Sequence, residues 1–257
     1  MERKWLRQRA LEGELLSGCW VVLGSSLTTE ICGRAGFDWV ILDLEHGMGD
    51  LESLLYQLQA LEGTPAVPLV RIAWNQTHLF KRVLDLGPAG VMVPWVNSAE
   101  EARQAVRAMR YPPQGVRGVT PLSRPGNFGQ DYQEYFEQAN DKLLTIAQIE
   151  TPQAVENVDE IAAVDGVDVL FVGPMDLSIN MGIAKQFDHP RFREALATVL
   201  AACRRHGKAA GILLLDPDKV KPTVADGFTF VGLSSDGGEL ATAMKRLAKA
   251  FDPCRKA

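Results

Sequence analysis

Eight short runs of nearly continuous apolar residues recur along the chain, at 19–25, 38–45, 68–72, 90–96, 143–150, 167–173, 209–215 and 228–235. A strand with one face in water alternates apolar and polar residues. Runs without that alternation fit strands buried on both faces, as in parallel sheets. Helical spacing fills the intervals, beginning with a predicted N-terminal helix over 5–16. Ser98 reads as an N-cap with Glu101 at the capping-box position, and Thr151 as a cap followed by Pro152 at the first helical position. Gly36, Gly63, Gly87, Gly207 and Gly227 each stand where a helix should stop before the next strand. Eight such β/α units predict a TIM-type (β/α)8 barrel. A doubly wound open sheet is the alternative, but the G-x-G-x-x-G dinucleotide turn is missing.

One stretch breaks the short-loop pattern. Residues 111–131 hold Pro112, Pro113, Gly115, Gly118, Pro121, Pro125, Gly126 and Gly129 before any strand resumes. Connections of that length are usually lids or subunit contacts, the plain alternative being a solvated excursion.

Composition narrows the class. A chain of 257 residues accommodates one barrel domain over 1–257, and 46% hydrophobic residues exclude disorder. With 27 Lys and Arg against 32 Asp and Glu there is no general basic excess, so no nucleic-acid partner is expected. Glu12 and Glu14 interrupt the uncharged run a signal peptide needs, and no run of about 18 apolar residues suggests a membrane span. Cys19, Cys32, Cys203 and Cys254 form no metal-ligand spacing, which fits reduced thiols in a cytoplasmic protein.

Barrel chemistry sits at the C-terminal ends of the strands. Strand two closes on Asp43-Leu-Glu-His46, strand three on Arg71, strand five on Gln148-Ile-Glu150 and strand six on Gly173-Pro-Met-Asp176, while Asp85 lies near the end of the helix after strand three. Glu150 and Asp176, on adjacent strands, suit a hard divalent cation, Mg²⁺ or Mn²⁺; they equally suit two helix N-caps. His46 fits a general base or a structural histidine. Arg71 needs an anion beside it, either a substrate or Asp43. Lys142 and Lys208 precede their strands and Lys185 lies well past strand six, so no lysine is placed for a Schiff base. There is no nucleophile elbow, Walker loop or zinc-protease helix.

Four segments in order, Asp43-Leu-Glu-His-Gly, Arg71-Ile-Ala-Trp-Asn, Gln148-Ile-Glu-Thr and Gly173-Pro-Met-Asp-Leu-Ser, resemble the signatures of the HpcH/HpaI family. These are class II, metal-dependent pyruvate aldolases of the 4-hydroxy-2-oxoheptanedioate and 2-dehydro-3-deoxyglucarate type, and the resemblance runs from about 18 to 251. It implies reversible cleavage of a 4-hydroxy-2-oxo acid to pyruvate and an aldehyde through a metal-stabilised enolate, in sugar-acid or aromatic catabolism. By the same resemblance Glu150 and Asp176 hold the divalent metal (Mg²⁺, Mn²⁺ or Co²⁺), and His46 is the base. Arg71 steadies the enolate oxygen, and Asp85 is the acid that raises the base's proton affinity. Gln148 contacts substrate, and backbone groups at Pro174, Met175 and Asp176 hold the pyruvate carboxylate. The resemblance further implies a homo-hexamer in which the final helix, over 239–251, is exchanged between subunits. Segments 47–50 and 118–129 depart from the dicarboxylate-specific pattern where the aldehyde would lie, which leaves the aldehyde's identity open. A citrate-lyase-like acyl-CoA lyase or an oxaloacetate decarboxylase would use the same enolate site, and a non-catalytic barrel is the bland alternative.

Overall fold

The computed structural model describes residues 4–255, and in it the eight apolar runs are the strands of one closed parallel barrel. They are β1 (Leu16–Val21), β2 (Trp39–Asp43), β3 (Val67–Arg71), β4 (Gly90–Val93), β5 (Leu144–Ile149), β6 (Val169–Val172), β7 (Ala209–Leu214) and β8 (Phe230–Ser235). Each pairs with the next, and β8 returns to β1. The predicted TIM-type fold is the observed one. Strand β1 begins three residues earlier than the apolar run suggests, because Gly18 lies under the Trp39 indole. A Cβ there would come within 2.1 Å of the ring, so only glycine lets β1 pass beside Trp39 of β2 while Leu16 and Ser17 pair with β8.

Aromatic side chains fill the barrel's interior. Trp39 stacks on Phe230 with centroids 4.6 Å apart, and Trp20 meets Trp39 edge-on at 5.9 Å. Ile41, Leu69, Met92, Ile146 and Val169 complete this packing, all fully buried. A second, larger apolar layer joins the outer faces of the strands to the helices. The N-terminal rim is closed by α1 (Leu6–Leu11), shorter than predicted, through Arg7 Nε to Asp168 Oδ1 at 2.9 Å and Arg9 Nη2 to Asp38 Oδ1 at 2.7 Å. With that end plugged, the open space lies at the C-terminal rim.

The outer helices follow from their caps. α2 (Ser26–Arg34), α3 (Leu51–Ala60) and α4 (Thr77–Leu84) succeed the first three strands. In α5 (Ala99–Met109) Ser98 Oγ accepts from the Glu101 N–H as predicted, but the Glu101 carboxylate reaches back to the Asn97 N–H, at 2.6 Å. After α6 (Tyr132–Lys142) and β5 come α7 (Pro152–Glu156), capped by Thr151, then α8 (Val158–Ala162) and α9 (Pro174–Asn180). α10 (Pro190–His206) and α11 (Val220–Asp226) stop at Gly207 and Gly227, whose φ of 64° and 115° are open to glycine at little cost.

The long 111–131 segment is built on its own aromatic cluster. Tyr111 lies 4.8 Å from Phe136 of α6, and the fully buried Arg117 guanidinium sits 4.3 Å over the Tyr111 ring. The segment is thus anchored at Tyr111 and Arg117, while Val116, Val119, Leu122 and Phe128 stand exposed along it. The terminal α12 (Asp236–Lys249) carries no buried residue, and Leu240, Met244, Leu247 and the following Phe251 are exposed. Among the described residues no helix is long and apolar enough to cross a membrane.

Candidate active site

The site is organised first by the pairing of β2 with β3, whose register sets Asp43 opposite Arg71. Arg71 donates to both Asp43 oxygens, Nε to Oδ1 at 2.9 Å and Nη2 to Oδ2 at 2.5 Å. This planar fork locks the guanidinium's orientation. Asp43 Oδ1 also accepts the N–H groups of Glu45 (3.0 Å) and His46 (3.3 Å), so one carboxylate holds the arginine and shapes the turn that carries the histidine. The remaining guanidinium nitrogen, Nη1, lies 2.9 Å from Glu45 Oε2. Burial pushes the Glu45 carboxyl up despite Arg71. His46 stands at the mouth, its side chain 66% exposed, with Nε2 at 3.6 Å from Glu45 Oε1.

The opposite wall comes from β4, β5 and β6. Glu150, one residue beyond β5, is almost fully buried. Its Oε2 accepts from the Trp95 N–H at 3.1 Å and its Oε1 from Gln148 Nε2 at 3.0 Å. Trp95 adopts a left-handed φ of 54°, uncommon without glycine, and this conformation accompanies the hydrogen bond to the carboxylate. Gly173 is the other condition for that packing, because a Cβ there would lie 2.5 Å from Glu150 Oε1. Burial holds the Glu150 carboxyl up at about 7; the Trp95 N–H opposes this, and the charges of Glu45 and Asp176 add to it. Asp176 sits in the first turn of α9, facing the same space.

These groups line a cavity of about 410 Å³ at the C-terminal rim, with Trp20, Phe171 and Leu213 on its apolar side. Asp43, His46, Arg71, Gln148, Glu150, Pro174, Met175 and Asp176 all border it, so eight of the nine expected residues meet at one place. Asp85 does not. It caps the end of α4, at the N-terminal rim, with Arg117 Nη2 at 3.5 Å from its Oδ1. A helix after a barrel strand runs back down the wall, and eight residues at 1.5 Å each carry Asp85 about 12 Å from the rim where α4 starts. No pairing of Asp85 with His46 forms within one chain.

Three further groups escaped the sequence reading. Glu45, Trp95 and the Ser234–Ser235 pair, with Ser234 at φ 55°, all border the cavity or contact the charged groups that line it. Among the described residues no lysine lines the cavity, and Arg71 is its only arginine. Four carboxyl groups, those of Asp43, Glu45, Glu150 and Asp176, surround a single guanidinium. Gln148 Oε1 is also a buried acceptor with no protein partner. Both features fit a hard divalent cation. Among the described residues no cluster of three or more His, Cys, Asp or Glu could enclose a metal alone. Two carboxylates, those of Glu150 and Asp176, would leave positions for solvent and substrate, as in an open catalytic site rather than a closed structural one.

A parallel barrel with acidic strand ends around a buried, forked arginine is the framework of an enzyme that handles oxyanions. The profile of the HpcH/HpaI aldolase/citrate lyase family matches residues 16–243. The 5-keto-4-deoxy-D-glucarate aldolase of Klebsiella pneumoniae subsp. pneumoniae is 41% identical over 234 residues, 91% of each chain. Among solved structures, an HpcH/HpaI aldolase/citrate lyase family protein from Burkholderia cenocepacia superimposes with a TM-score of 0.91 at 35% identity, covering 96% of this chain and 98% of that one. An HpcH/HpaI aldolase from Desulfitobacterium hafniense does so at 0.88 and 32%, covering 97% of each. The chain belongs to the HpcH/HpaI aldolase/citrate lyase family, and it is an aldolase-class lyase.

Proposed function

We propose that the protein is a divalent-metal-dependent pyruvate aldolase acting on a 2-keto-3-deoxy acid with a hydroxyl at C4. The observation that carries this reading is the convergence of an exposed histidine, a forked buried arginine and two carboxylates from adjacent strands on one cavity. Glu150 and Asp176 would hold the cation, Mg²⁺ or Mn²⁺, which when bound supplies Lewis-acid stabilisation of negative charge on a 2-oxo acid. In cleavage, His46 takes the proton of the C4 hydroxyl, the C3–C4 bond breaks, the aldehyde leaves, and the bonding pair passes into the C2–C3 enolate. Arg71, kept in plane by Asp43, faces the oxygen on which that charge grows. Returning a proton to C3 gives pyruvate. Backbone N–H groups of the first turn of α9, unsatisfied within the helix, would receive the C1 carboxylate.

The exposed apolar face of α12 supports exchange of that helix between subunits, and with it a hexamer. The test of the reaction is pyruvate release from a panel of 2-keto-3-deoxy acids, before and after exhaustive chelation. Loss on chelation and recovery with Mg²⁺ or Mn²⁺ is the expected result. Turnover that survives complete metal removal would refute the reading.

A further inference from the structure

We infer that a second pocket, behind Met175 and β7, is a subsite for a bulky apolar substituent on the aldehyde; this rests on the aldolase reading above. The pocket measures about 280 Å³ and lies outside the barrel between β7, α10 and α11. Pro174, Met175, Leu213 and Leu215 border both it and the catalytic cavity, so the two share one wall. Met175 is the unbranched, adaptable side chain in that wall, able to move aside for a substituent where a β-branched residue could not.

The lining selects the chemistry. Phe187 and Phe192, with ring centroids 5.6 Å apart, combine with Leu196 and Leu214 into an apolar floor. Lys185, Asp188, Arg193, Asp216 and Lys219 are the charged members of the lining. Engineered cavities of roughly 150 Å³ accept benzene, so this volume takes an aryl ring with part of its linker.

The pocket is also fixed in place relative to the chemistry. The fully buried Ser178 of α9 donates to the Met175 carbonyl at 2.9 Å and accepts the Lys185 N–H at 3.1 Å. Lys185 holds a left-handed φ of 62° there. The segment bearing Lys185 and Phe187 is thereby tied to the same short helix that presents Asp176. The apolar site thus lies directly behind the wall of Pro174, Met175, Leu213 and Leu215 that it shares with the catalytic cavity.

The test is condensation of pyruvate with propanal and with 3-phenylpropanal by the metal-loaded enzyme, comparing kcat/KM. The expected preference for the phenyl aldehyde is tenfold or more, the usual scale for occupancy of an apolar pocket. Thr223→Trp and Lys219→Trp fill the pocket from its outer side, away from the catalytic cavity. Each is expected to cut the preference about tenfold while leaving the propanal rate unchanged, which also reports correct folding. Equal use of the two aldehydes by the parent enzyme, or a preference that survives both substitutions, overturns the subsite. Failure to condense either aldehyde with pyruvate overturns the aldolase reading and the subsite together.

Discussion

Glu150 offers the sharpest test, because the structure buries an acid whose neighbours do not fully offset the cost of ionising it. In the metal-free protein its carboxyl titrates at about 7, against an ordinary value of 4.5. Below pH 4.5 the folded and unfolded forms are both protonated and the group costs nothing. Between 4.5 and 7 the folded state binds a proton that the unfolded chain releases, so stability falls as pH rises and the loss is complete above 7. A shift of that size corresponds to about 3 kcal/mol, at about 1.4 kcal/mol per pH unit.

Glu150→Gln removes the ionisation. It replaces one acceptor oxygen by an amide beside Trp95 or Gln148, but Gln148 can turn its unpartnered Oε1 toward that amide. We therefore expect the metal-free variant at pH 8 to be about 2–3 kcal/mol more stable than the parent, after allowing for one imperfect hydrogen bond. In a chain of this length that is a Tm gain of roughly 5–10 °C. At pH 4.5 only the hydrogen-bond deficit remains, so the variant should melt at or slightly below the parent. Mg²⁺ at 1,000 times its Kd should reverse the order at pH 8, since it adds about 4.1 kcal/mol to a competent site and the variant would lack one of its carboxylates. Calorimetry of both proteins from pH 4.5 to 8, with and without Mg²⁺, measures every term. A stability difference that does not vary with pH would refute the burial argument, and equal stabilisation of both proteins by Mg²⁺ would remove Glu150 from the metal site.

Other substitutions probe the remaining contacts. Gly173→Ala sets a methyl group 2.5 Å from Glu150 Oε1, so kcat/KM should drop at least tenfold and metal affinity weaken; unchanged metal titration would show that α9 yields freely. Arg71→Lys loses the two-point fork to Asp43 and should lower kcat about 10²–10³-fold with little effect on KM; an effect confined to KM would mean uniform binding instead. His46→Ala should slow cleavage about 10²–10⁴-fold without altering Tm, because the ring is exposed. Leu240→Glu with Leu247→Glu on the open face of α12 should dissociate the assembly in analytical ultracentrifugation, whereas an unaltered sedimentation profile would exclude helix exchange.

The fold and most of the site were legible because a parallel barrel writes both into one signal. Strands buried on two faces read as apolar runs, and any polar residue closing such a run must face the C-terminal rim. That logic brought Asp43, Arg71, Gln148, Glu150 and Asp176 to one end of the barrel, where all five border the cavity. It could not choose Arg71's partner, since the pairing with Asp43 depends on a strand register no local pattern encodes. Glu45 was hidden for a related reason: two residues past β2 the turn, not strand alternation, decides which way a side chain faces. Trp95 carries no signal at all, because its role is a backbone N–H aimed by an unusual φ. Asp85 is different, because the information was present. Gly87, two residues on, marks the helix stop, and a helix that stops before a barrel strand ends at the N-terminal rim. Helix polarity alone therefore separates Asp85 from His46 within one chain. Any catalytic part for it would have to be played at the active site of a neighbouring copy.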